Sequence, residues 1–433
     1  ELKNNLHPAS ITPGSCIFSW DFSYDPCDNL FTDKFTCGFR CDAVVSGTTR
    51  LTELTLDPAG YSGTLSATWN LPYLQTLDVS NNFFSGPIPD SFSNLTRLTR
   101  LVLSKNSLTG TIPSSLSSLS NLQELYLDNN NLQGPIPLTF NRLTNLKRLE
   151  MQSNKLNGVL PSLSSLNNLY YLDLSFNLFT GGFPSALPES LVQISMRNNS
   201  LSGALEPESL RNLNYLEVVD LTANRLNGVV PFALFELPSL QQVALSFNEF
   251  SHLEAPYALE MQSGVIAVDL SNNELGGFLP LFPALMPRLS SLSFENNKFV
   301  GMIPIQYALK TVFPEAGIAP FERLLLGGNY LFGAIPSPLM ALQPGSAMVR
   351  LVDNCLYRCR SGEGFRSWLG LTFEFDITVG WSLGLYFVEV VTFFMPWILP
   401  LTLNLPTRYE HYAMASSLDI DSSILVLRVL IFG

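Results

Sequence analysis

The 433-residue chain predicts an α/β solenoid, and three observations predict it. One phrase, LxxLxLxxNxLxGxIP, returns through residues 51–354. Its cleanest copies start at Leu98, Leu122 and Leu146, 24 residues apart. An asparagine stands at the same place in copy after copy. A fixed period of roughly 20 to 29 residues with this leucine spacing means stacked coils, each burying its apolar face on the next.

The phrase starts at Leu51, Leu74, Leu98, Leu122, Leu146, Leu169, Leu191, Leu216, Leu240, Val265, Leu289 and Phe321, and a degenerate last copy ends at Asn354. In LxxLxL the apolar residues at the fourth and sixth positions alternate as in a short strand with one side facing inward, and the x positions face solvent. Stacked coils then pair strand on strand. The asparagines Asn82, Asn106, Asn130, Asn154, Asn177, Asn199, Asn224, Asn248, Asn273, Asn297 and Asn329 carry side chains that both donate and accept, so they form a column able to satisfy the inward-turning backbone. In the GxIP element, as at 110–113 and 301–304, glycine permits a close turn and proline ends the local pairing. Both features are architectural.

This repeat form resembles the plant-specific class of leucine-rich repeats found in receptor-like kinases, receptor-like proteins and polygalacturonase-inhibiting proteins. The resemblance covers about residues 16–359 and rests on the eleven asparagines and the recurrent GxIP. It implies a right-handed superhelix with a parallel sheet on the concave face and disulfide-stapled caps. Residues 1–50 resemble the family's N-terminal cap, with SWDFSYDPCDN leading to FTCGFRCD, and Trp20 is expected to plug the apolar face of the first coil.

Two irregularities interrupt the array. After Leu240 the asparagine survives as Asn248, but SHLEAPYALEMQSG replaces GxIP. The interval from Leu289 to Phe321 stretches to 32 residues, and the extra residues after Pro304 are read as a plain surface loop. They are too few for the folded island domain that some receptors of this family carry.

Six cysteines fall in two groups, Cys16, Cys27, Cys37 and Cys41 before the repeats and Cys355 and Cys359 after them. Small caps with little core are commonly stapled by disulfides in oxidising compartments. Zinc would suit the spacing of each close pair, yet the two pairs lie at opposite ends of the array and cannot share an ion. Disulfides are therefore expected, with the pairing among the first four open to three arrangements. Two Asn-x-Ser/Thr sequons, Asn94 and Asn198, are candidate glycosylation sites. The chain shows no signal peptide, and a first residue Glu1 in place of methionine is expected of a mature or clipped chain.

The cap expected from Cys355 to Cys359 gives way to an atypical hydrophobic tail, 360–433. Residues 377–399 as a helix would measure about 34 Å, enough for a bilayer core of about 30 Å. A membrane anchor there would resemble those of the receptor-like proteins. Against it stand Glu389 in mid-span, Pro396 and Pro400 near one end, and Arg358, Arg360 and Arg366 on the side meant to face outward. The other readings are an unusual cap and a run-on sequence from a mis-read exon boundary.

The formal charge of −12 argues against a nucleic-acid partner, which needs a basic face. The chain holds no GxxxxGK phosphate loop, kinase VAIK, HRD or DFG phrase, GxSxG elbow or HExxH pair, so it is read as a non-enzyme without a cofactor or metal. The carboxylates Asp78, Glu150, Asp173, Asp220 and Asp269 sit between inward leucines on an open strand face, which offers no closed sugar cleft.

The concave columns instead suit binding. Arg100, Glu124, Tyr126, Arg148, Tyr170, Tyr171, Phe176 and Arg197 cluster in consecutive coils, and Phe247 extends the set. Aromatic residues and arginine are the types enriched at interface hot spots. The competing reading packs these rings over their own column neighbours. The expected role is extracellular recognition of a protein, peptide or glycan on the concave face, at the cell surface or secreted. Any signalling would pass through a partner membrane receptor kinase, as the resemblance to receptor-like proteins implies. The alternatives are an inhibitor of pathogen cell-wall-degrading enzymes, resembling the polygalacturonase-inhibiting proteins, and a structural cell-wall protein.

Overall fold

The computed structural model describes residues 2–256 and 263–357. Cys359, the tail 360–433 and the candidate span 377–399 lie outside the described residues. No helix among the described residues is long and apolar enough to cross a membrane.

Each coil contributes a three-residue strand to one fourteen-stranded sheet. Its first pairing, Phe39–Arg40 against Glu53–Thr55, is antiparallel, and the ladder is parallel from there to Met348–Arg350. The register never slips: Leu77 faces Leu101, Leu101 faces Leu125, and the match continues through Leu149, Leu172 and Ile194. A slip of one residue would carry every leucine of a coil out of the core. The fourth- and sixth-position residues, such as Leu101 and Leu103, are fully buried, and one continuous core runs from Leu2 to Val349.

The asparagine column works as the donor and acceptor count predicts. Asn130 accepts from the backbone N–H of Leu108 at 3.0 Å and donates to the carbonyls of Leu103 at 2.9 Å and Leu127 at 3.1 Å. Leu103 and Leu108 belong to the preceding coil, so each asparagine ties its own coil to the one before. The residue just before the asparagine adopts a left-handed conformation, from Asn81 at φ 56° to Asp353 at φ 56°.

After GxIP the chain turns along the opposite side. Proline presets the backbone for the 3-10 turns Asp90–Asn94, Ser114–Ser118 and Leu138–Arg142, which bury Phe92, Leu116 and Phe140. The backbone around GxIP forms a second parallel sheet of nine strands, from Ser62–Thr64 to Glu249–Leu253. It stops where GxIP is lost, and a separate four-stranded sheet runs from Gly276–Phe278 to Cys355–Tyr357.

One expectation is corrected here. The residues after Pro304 form an eight-residue helix, Ile305–Val312, and not a surface loop. The reason lies in their spacing: Tyr307, Ala308 and Thr311 recur at helical intervals and are buried, and the Tyr307 hydroxyl donates to the Pro280 carbonyl at 2.6 Å.

At the other end, disulfides join Cys16 to Cys37 and Cys27 to Cys41. Trp20 sits within the cap, beside the strand Phe39–Arg40 that pairs with the first coil. It is buried, packs on Phe39 with ring centroids 4.3 Å apart, and donates its indole N–H to the Cys37 carbonyl at 3.0 Å. Gly38, at φ 96°, lets the indole lie there, since a Cβ would come within 2.7 Å of the ring. Cys355 is exposed on the last strand, and its expected partner Cys359 falls outside the described residues.

Candidate functional site

The outward positions of the fourteen-stranded sheet form columns because the register is exact. In one column Arg100, Glu124, Arg148 and Tyr171 are successive neighbours. Two residues along each strand, Val102, Tyr126, Glu150 and Asp173 form the next. Side chains from these two columns interleave.

The Arg100 guanidinium pairs with the Glu124 carboxylate and lies over the Tyr126 ring, 4.7 Å from its centroid. The Tyr126 hydroxyl donates to Glu124 Oε2 at 3.0 Å and accepts from Arg100 Nη1 at 3.3 Å. Arg148 comes next: it sits 6.0 Å from the Tyr126 centroid and 3.7 Å from that of Tyr171, and its Nε donates to Glu150 at 2.5 Å. Gln152 holds the other Glu150 oxygen at 3.0 Å. The result is an alternating ladder of arginine, tyrosine, arginine and tyrosine crossing four coils. Cations over aromatic faces attract the ring quadrupole, and the fixed guanidinium plane costs little order on contact with a ligand.

Burial on the sheet raises the phenols of Tyr126 and Tyr171, with the nearby carboxylates Glu124 and Asp173 adding to it. Both therefore stay protonated donors at physiological pH. Burial likewise raises Asp173, opposed by hydrogen bonds from Ser175.

The remaining sequence candidates are placed apart from the ladder. Tyr170 precedes its strand and is exposed on the flank. Phe176 lies in the turn beyond the strand with Arg197 5.8 Å from its centroid. Phe247 occupies the same turn position as Phe176, separated from it along that column by Asn198 and Ala223. Both phenylalanines are left-handed, at φ 53° and 54°, which is uncommon for a bulky side chain. The sequons are exposed: Asn94 ends a 3-10 turn, and Asn198 lies at φ 53° in the turn after its strand.

The carboxylates at the strand position have a local task. Asp173 accepts from the Ser175 N–H at 2.9 Å and hydroxyl at 2.6 Å, and Asp269 accepts from the Ser271 N–H at 3.0 Å. The LDLS phrase is thus a turn cap.

Two further clusters went unread in the sequence. Tyr73 has Arg97 at 4.8 Å and Arg50 at 5.7 Å from its ring. Glu295, raised by burial, pairs with Arg350 at 3.3 Å. Reading the same outward columns past Asn198 finds the second cluster, because Arg350 stands in the column of Tyr126 and Glu295 at the place Arg197 holds, two residues beyond that column.

The leucine-rich repeat region profile matches residues 55–305, and the chain belongs to the leucine-rich-repeat family. Within it the chain is similar to plant receptor-like proteins. It is 43% identical over 75 residues to Receptor-like protein 34 of Arabidopsis thaliana, covering 17% of this chain and 8% of that protein. To Receptor-like protein 43 of the same plant it is 41% identical over 75 residues, covering 17% and 10%. The chain spans a tenth or less of the length of these relatives. Among solved structures, a TDR receptor is 30% identical with a TM-score of 0.59, over 66% of this chain and 48% of that one. The plant peptide hormone receptor RGFR1 in complex with RGF2 is 28% identical with a TM-score of 0.55, over 68% and 50%.

Proposed function

We propose that the chain is an extracellular recognition protein that binds a peptide or protein ligand on the concave sheet, and that it performs no reaction. The observation that carries this reading is the ladder from Arg100 to Tyr171, where donors, acceptors and aromatic faces stand in register across four coils. The fold of a peptide hormone receptor supports it, as does the likeness to receptor-like proteins. The two cap disulfides suit an oxidising, extracellular setting. Signalling, on this reading, is delegated to a partner membrane kinase.

The test is a binding screen of the purified chain against a library of synthetic extracellular plant peptides, repeated with Tyr126→Ala, Arg148→Ala and Tyr171→Ala combined. A selected peptide should lose about a hundredfold or more in affinity, since hot-spot truncations of this kind cost about 2 kcal/mol each and add imperfectly. Unchanged binding by the folded triple variant would remove the ladder from the site.

A further inference from the structure

The helix Ile305–Val312 carries a lysine that the concave surface does not explain. Lys310 is 3% exposed, so nearly all of its side chain is withdrawn from bulk water. Its ammonium donates to the Met286 carbonyl at 2.5 Å and lies 5.0 Å from the centroid of Phe321. It makes no ion pair among the described residues. An ammonium has three donors, and a neutral carbonyl compensates neither the other two nor the charge. Burial pushes the group down to about 8, so it still carries its charge at neutral and acidic pH.

Lys310 also lines an open cavity of about 140 Å³ whose apolar wall is made by Leu285, Leu309, Phe313 and Ile318. Phe313 is 65% exposed and Leu309 42%, so this wall offers apolar surface to solvent instead of filling the core. Glu315 lines the cavity too, but it is exposed and its charge is screened by water.

We propose that this cavity, on the helical side of the coils and away from the concave sheet, binds an apolar monocarboxylate, with Lys310 holding the carboxylate and Leu309 and Phe313 holding the hydrocarbon. One ammonium matches one negative charge. A dianion such as phosphate would leave a second charge unbalanced beside four apolar side chains, and a neutral ligand would leave the ammonium uncompensated. The same chemistry is presented by a free branched-chain acid and by the C-terminal residue of a peptide ending in leucine.

The test titrates the full chain with 4-methylpentanoate and with its neutral amide by ligand-detected NMR. The acid is expected to bind with a dissociation constant on the order of 0.1–1 mM, and the amide at least about tenfold more weakly. Lys310→Met should bring the acid down to the level of the amide, and Phe313→Ala should weaken both. Equal binding of acid and amide to the unaltered chain would overturn the proposal, as would no binding of either, and neither result depends on a variant folding. Equal acid binding by a folded Lys310→Met chain would overturn it as well. Acetyl-Ala-Ala-Leu with a free C-terminus, set against its amidated form, separates the two sources. Tighter binding than the free acid assigns the cavity to a peptide terminus, and weaker binding assigns it to a small acid.

Discussion

The coils from Leu98 to Asn198 and those from Gly276 to Tyr357 share one interior and present different exteriors. In the first group the outward columns are filled with charge and aromatic rings that satisfy one another, as in the pairing of Arg100, Glu124 and Tyr126. In the second group the side sheet exposes the rings of Phe278, Tyr330 and Phe332, where the same side of the first group exposes Val159 and Leu178, and a helix with an unneutralised lysine replaces the 3-10 turn. The edge of the Phe278 ring meets Gly301, where a Cβ would come within 2.5 Å of the ring. The asparagine bonds are the same in both: Asn130 and Asn329 each reach two carbonyls at 2.9 to 3.1 Å. A frame fixed by buried leucines and asparagines therefore leaves the outer positions free to specialise coil by coil.

The largest expected effect tests the shared frame. Asn130→Ala strands the Leu108 N–H inside the protein and leaves the Leu103 and Leu127 carbonyls with one asparagine donor each, Asn106 and Asn154, in place of two. It should cost about 3 kcal/mol in urea unfolding, since an orphaned buried donor costs about 1–3 kcal/mol and the two lost donations add to it. Asn354→Ala, in the last described coil, breaks the same set of bonds, with the Leu331 N–H and the Leu326 and Leu351 carbonyls, and should cost about as much. A much smaller loss at Asn354 would mean that the two regions are held together differently from what the bonds indicate.

The second test separates the regions by pH. Lys310 is lowered to about 8 by burial, so between about pH 8 and the ordinary lysine value the unfolded chain binds more protons there than the folded one. Stability contributed by this group must then rise with pH across that window. Denaturation of the wild type compared with Lys310→Met should show a difference that grows in the wild type's favour by on the order of 1–3 kcal/mol from pH 8 to pH 10.5. A flat difference would mean that the ammonium is not held out of water.

A smaller effect concerns the strained turn. Replacing Phe247, at φ 54°, by asparagine should stabilise the fold by about 0.5–1 kcal/mol in thermal unfolding, because asparagine tolerates the left-handed region. Phe176→Asn should gain less, since it gives up the Arg197 contact. The smallest effect is expected from Glu124→Gln. Arg100 and Glu124 are 41% and 32% exposed, and pairs of this kind contribute under about 1 kcal/mol. Stability should stay nearly constant while the orientation of Arg100, and with it any ligand affinity, changes.

Much of this was readable beforehand because a solenoid converts sequence distance into spatial distance. The leucine phase placed Leu101 and Leu103 inside, and the same phase put Arg148 and Tyr171 on one outward column. The contacts themselves were not readable. That Arg148 lies over Tyr171, and that Tyr126 bridges Arg100 and Glu124, depends on rotamers which a repeat pattern does not encode. Cys16 finds Cys37 through the fold of the cap, where no repeat sets the spacing. The helix at Ile305–Val312 was missed for a different reason. Eight residues are too few for a helical period to stand out, and Tyr307, Ala308 and Thr311 fall between two copies of the leucine phrase.

The asparagine column also sets the unit in which such a chain can change length. Asn130 is answered only by its own coil and the one before, and every equivalent asparagine asks for the same two partners. Removing or duplicating a whole coil leaves each of them answered, whereas a partial deletion strands one. Evolution working on this scaffold is thereby steered toward quanta of one turn, and each quantum brings a fresh rung of outward side chains to be varied.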